Sequence, residues 1–78
     1  MIAVDEYFVE KVGEVYQLCE WTDPDDKTKF DVLKIDDTID LPLAWLTWCS
    51  KERLNGRKNI SIRDHLKPKG VKNLTLQK

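Results

Sequence analysis

Only Gly13-Glu14 separates the run Tyr7–Val12 from the run Val15–Trp21. Both runs are rich in aromatic and β-branched side chains, which suit a pleated, half-buried surface. Two strands that close in sequence can pair only as an antiparallel hairpin. Glycine is suited to the first central position of a type II′ turn, where φ must be positive. In that register Val12 faces Val15, Phe8 faces Cys19 and Val9 faces Leu18, so each pair joins residues of like polarity.

The hairpin sets the rest of the frame. Thr22–Lys27 contains Pro24, Asp23, Asp25 and Asp26 and reads as a turn, since proline donates no ladder hydrogen bond and aspartates bond nearby amides. Lys29–Ile35 returns as a third strand, and Asp36-Asp37-Thr38 closes it. A helix is expected at about Leu41–Leu54. Asp40 can cap it, Pro42 fits its first turn, and Gly56 suits the left-handed residue beyond its end. Lys51 and Arg53 lie where the helix dipole is negative. Beyond Gly56, Asn59–Ile62 reads as a short strand, or Ser61 caps one helical turn through Leu66. Val71–Leu76 reads as a weak terminal strand. The expected fold is α+β: a three-stranded antiparallel meander packed on one helix, with a basic C-terminal segment adding a short strand or helical turn. It forms one domain over 1–78, with an acidic β-meander at 1–38, a helix at 40–55 and a basic segment at 56–78.

Charge is unevenly spread. The net charge is −1, yet residues 1–50 carry 4 lysines against 12 carboxylates, a net of −8. Residues 51–78 carry 9 basic side chains against 2 acids, a net of +7. Such asymmetry points either to a charged partner or to two regions that attract each other in the fold. If the basic segment binds a phosphate backbone, Arg53, Arg57, Lys58, Arg63, Lys67, Lys69 and Lys72 are the candidates. After Trp48 that segment has no stacking aromatic beyond the imidazole of His65, which disfavours single-strand recognition.

Catalysis finds little support. A chain of 78 residues buries only about 60–65% of the surface its unfolded form exposes, which leaves little core from which to cut a substrate cleft. Cys19, Cys49 and His65 are isolated in sequence and lack zinc-ligand spacing. Both cysteines are expected to be buried, reduced thiols. Asp25-Asp26 and Asp36-Asp37 sit in turns. No enzyme, metal or cofactor is expected. No apolar run approaches the ~20 residues that span a bilayer. Met1–Asp5 has no basic region leading into an apolar one, so the expected location is cytoplasmic.

The helix offers the most direct lead to function. At 100° per residue, Leu41, Ala44, Trp45, Trp48 and Cys49 form one apolar stripe, expected to pack on the sheet. Leu43, Leu46 and Leu54 fall outside it and are the candidates for partner contact. The expected function is therefore non-catalytic protein binding, as an inhibitor, adaptor or regulatory subunit, or as a second copy's partner in a homo-oligomer. Small accessory proteins of phages and mobile elements share this general build, by analogy only.

Glu6-Tyr7-Phe8-Val9-Glu10-Lys11-Val12 resembles the opening strand of chromodomains. Trp21 with the acidic turn after it, and Asp40-Leu41-Pro42 followed by Trp48, Lys51 and Arg53, resemble later features of that family. The family's Trp-Glu-Pro stands here as Phe30-Asp31-Val32, and residues 55–78 have no counterpart. The resemblance implies a peptide reader in which Tyr7 and Trp21 are two walls of a cage for methyl-lysine.

Overall fold

The structure, a computed structural model, describes residues 1–66. Its elements are β1 (Ile2–Val4), β2 (Tyr7–Val12), β3 (Val15–Trp21), β4 (Phe30–Asp36), α1 (Asp40–Leu54) and α2 (Ile62–Leu66). The strands form one antiparallel sheet in the order β1-β2-β3-β4, with α1 across it. The architecture is α+β as expected, with four strands in place of three. The added strand, β1, pairs with β2 through Ile2–Val9, Ala3–Phe8 and Val4–Tyr7. Its turn is Asp5-Glu6, with Asp5 at φ 53°, a left-handed conformation that aspartate tolerates better than most residues.

The central hairpin has the register its polarity pattern demands: Phe8–Cys19, Val9–Leu18 and Val12–Val15. Gly13 turns the chain at φ 63°. The Asp23–Thr28 turn is held by side-chain acceptors, Asp23 Oδ1 from the Asp25 amide at 2.9 Å and Asp26 Oδ1 from the Thr28 amide at 3.0 Å. Between β3 and β4 the register shifts, so that Leu18 faces Lys34 while Cys19 faces Val32. Leu33 is the extra residue, and it packs towards the core.

Helix α1 starts one residue earlier than expected. Its N-cap is Ile39, which makes no side-chain cap bond, and Asp40 lies in the first turn. There the carboxylate still meets the positive end of the helix dipole. Gly56 at φ 100° ends the helix, its amide donating to the Arg53 carbonyl at 3.1 Å. Ser61 caps α2, its Oγ accepting from the Asp64 amide at 3.3 Å. The expected strand at 71–76 lies outside the described residues.

One sheet face contributes Tyr7, Val9 and Leu18 to the core, α1 contributes Leu46 and Cys49, and α2 contributes Ile62. Here the helix departs from expectation. Its buried residues are Pro42, Leu46 and Cys49, spaced four and three apart. The stripe expected to meet the sheet is instead largely outward: Leu41 and Ala44 are exposed, Trp45 and Trp48 half-buried, and only Cys49 is enclosed. Leu46, expected at a partner surface, is 1% exposed and belongs to the core.

Strand alternation turns Phe8, Cys19 and Trp21 to the opposite sheet face. Phe8 stacks on Trp21 with centroids 4.4 Å apart and meets Phe30 edge-on at 5.3 Å. This second cluster shields Cys19, while Val12, Val32 and Ile35 remain exposed beside it.

Candidate functional site

Two charged joints, one from α1 and one from α2, tie the helices to the sheet beside the buried Leu46, Cys49 and Ile62. Arg53 reaches back to the β1–β2 turn. Its guanidinium donates to Glu6 Oε1 at 2.7 Å, Glu6 Oε2 at 3.0 Å and Asp5 Oδ2 at 3.0 Å. It also donates to the Ile60 carbonyl at 2.8 Å and lies over the Tyr7 ring. The bonds to Glu6 hold that carboxyl below the usual carboxylate range and push the Arg53 pKa up. Arg63 does the same for α2, donating to Glu20 at 2.6 Å and Asp31 at 2.7 Å. Between the joints, the buried Tyr7 hydroxyl accepts from the Ile62 amide at 3.0 Å and lies 3.2 Å from Ser61 Oγ.

With that side fixed to the sheet, α1 presents Asp40, Leu43, Ala44, Thr47, Trp48 and Lys51 outward around a groove of about 500 Å³. A second groove of about 470 Å³ adjoins it across Ala44 and Trp48, lined also by Leu41, Trp45, Glu52, Arg57, Ile60 and His65. Trp48 forms the ridge between them. It is buttressed by Trp45, at 5.4 Å and perpendicular, and by His65 of α2 at 4.6 Å. Thr47 donates its hydroxyl to the Leu43 carbonyl at 3.0 Å, so it needs no outside partner. The surface is thus largely apolar, with Asp40 at one end, Lys51 at the other, and Glu52, Arg57 and His65 along the second groove.

Of the residues expected to meet a partner, Leu43 lines the first groove and is 37% exposed. Leu54 is 84% exposed at the end of the helix, and Leu46 is excluded by its burial. Leu41, Ala44, Trp45 and Trp48, expected on the sheet-facing side, instead line these grooves. Apolar residues occur almost all round the first two turns, so helical periodicity alone does not select a face.

Three of the seven basic candidates are engaged within the chain. Arg53 and Arg63 are paired as described, and Arg57 donates to Glu52 at 2.8 Å. Lys58 lines a cleft with Asp5, Glu6 and Arg53, where carboxylates would oppose a phosphate. Lys67, Lys69 and Lys72 lie outside the described residues. The two-walled cage is corrected outright. Tyr7 is fully buried against α1 and α2, while Trp21 is on the other side of the sheet, so they flank no common space. The outer face of Trp21 is covered by its own neighbour, with Lys27 Nζ 4.2 Å from the ring centroid.

Cys19 and Cys49 are free and buried, and burial pushes the Cys19 thiol up to about 11 and raises that of Cys49. Among the described residues, no group of three or more His, Cys, Asp or Glu side chains is gathered as a metal centre would need. No described helix is long and apolar enough to cross a membrane.

Comparison with protein-family models, with curated proteins and with solved structures finds no match to this chain.

Proposed function

We propose that this chain is a non-catalytic module that acts by stoichiometric contact with protein, and that its contact surface is the outer side of α1. The observation that carries this reading is the pair of adjoining grooves divided by Trp48, with Leu41, Leu43 and Ala44 exposed along them. A largely apolar surface with charged residues at its ends and rim favours a protein partner, because burying such area drives association while the rim charges orient it. Tryptophan is enriched among residues that dominate interface energies, and Trp48 stands at the centre of this strip. Nucleic acid is the weaker reading, since Arg53, Arg57 and Arg63 already hold carboxylates.

The test is capture from native lysate by tagged wild-type chain and by Leu43→Asp, each with and without nuclease. The proposal expects a protein retained by wild type, insensitive to nuclease and lost by a folded Leu43→Asp chain. Capture that needs nucleic acid, or that Leu43→Asp leaves unchanged, would overturn it.

A further inference from the structure

We infer that the protein seated on the outer face of α1 is a second copy of this chain, packed antiparallel about a two-fold axis passing between Ala44 and Thr47. The inference rests on the reading of α1 as the contact surface and names its occupant.

The argument begins with spacing. Asp40, Ala44, Thr47 and Lys51, all exposed, form the line of α1 opposite its buried Pro42, Leu46 and Cys49, with steps of four, three and four residues. That pattern reads the same in both directions. Reversing it onto itself places Asp40 against Lys51 of the second copy, and Ala44 against Thr47 of the second copy. Each pair occurs twice, as an isologous interface requires. A parallel arrangement would instead set Asp40 against Asp40 and Lys51 against Lys51. Neither side chain makes an ion pair within the chain among the described residues.

Size complementarity follows the same axis. Ala44 and Thr47 are small, so the two helices can approach to the ~8–10 Å typical of packed pairs. Trp48 lies to one side of that line, as does Leu41. The two-fold operation keeps that side in register and brings Trp48 of the second copy over Ala44 and Leu41. Those residues line the groove of about 470 Å³. Each tryptophan therefore fills the other's groove. The exposed end charges add little affinity, but they fix direction and register.

A 15-residue helix is about 22 Å long. One such contact buries less than the ~800 Å² per partner of a standard interface, so the dimer is expected to be weak. Sedimentation equilibrium from about 1 μM to about 1 mM brackets the corresponding range of dissociation constants. The wild-type chain should pass from monomer to dimer within that range. Ala44→Arg, at an exposed position, should remain monomeric with an unchanged circular dichroism spectrum. Asp40→Lys should weaken association about tenfold or more by facing like charges. Adding Lys51→Asp to Asp40→Lys should restore it.

Wild-type chain that stays monomeric throughout would overturn the inference. So would a dimer that survives Ala44→Arg, or charge reversal without restoration. The broader reading fails separately: if the chain is monomeric yet capture of another protein depends on Leu43, the contact surface stands and the second copy does not.

Discussion

Leu46→Asp should unfold this chain, whereas Leu43→Asp, one turn away on the same helix, should leave it folded. Leu46 is 1% exposed and packs with Tyr7, Val9, Leu18, Cys49 and Ile62. Truncating it to alanine removes that contact and leaves a cavity, at about 2–5 kcal/mol for such a site. A domain of this length has a total stability of about 4–12 kcal/mol, so even Leu46→Ala removes a large share. An aspartate there would be a buried carboxylate with no partner, at a cost exceeding what remains. Leu43 is 37% exposed and outside the core cluster, so its replacement should cost about 1 kcal/mol, well below the loss at Leu46. Urea titration followed by tryptophan fluorescence, alongside far-ultraviolet circular dichroism, measures all three variants. If Leu43→Asp unfolds while Leu46→Ala matches wild type, the orientation of α1 is wrong and the surface built on it falls.

Tyr7→Phe removes the acceptor for the buried Ile62 amide and should cost about 1–3 kcal/mol in urea titration, with faster hydrogen exchange at Ile62. Glu6 has a lowered pKa because of its bonds to Arg53, so the pair contributes stability that is fully present above the ordinary carboxylate range. That contribution is lost as pH falls through the depressed value. Urea midpoints measured against pH should show this acid limb, and Glu6→Gln should flatten it by a modest amount, since the carboxylate is part-exposed. The Cys19 thiol, pushed up to about 11, should resist alkylation at mildly alkaline pH until denaturant opens the sheet. Rapid modification of native protein, located at Cys19 by mass spectrometry, would contradict its burial.

The central hairpin was legible because two constraints agreed, a two-residue gap with glycine and a like-polarity register. Strand β1 was not, because it is only three residues long and its turn is Asp5-Glu6 rather than a glycine pair. The span of α1 could be read from Pro42 and Gly56, but its facing could not. Leucine, alanine and tryptophan occur around most of the helix, and the choice among faces is made by packing and pairing with residues distant in sequence, which leave no local mark. Arg53 with Glu6, 47 residues apart, is the clearest of these. The split between acidic front and basic segment did foreshadow such pairing, without saying which side chains would meet. Tyr7 shows the same limit: its place in an alternating strand was visible, but its burial depends on α2 arriving above it.

The three tryptophan indoles give the most direct test of where this chain meets protein. Trp48 stands between the two grooves of α1, Trp45 packs beside it, and Trp21 lies on the far face of the sheet. Indole N–H resonances of ¹⁵N-labelled chain, followed as the concentration of unlabelled chain is raised, report on each surface separately. The account predicts that the Trp48 resonance moves or broadens, with a smaller change at Trp45 and none at Trp21. Movement of Trp21 with Trp48 stationary would contradict it and would place the contact on the outer face of the sheet.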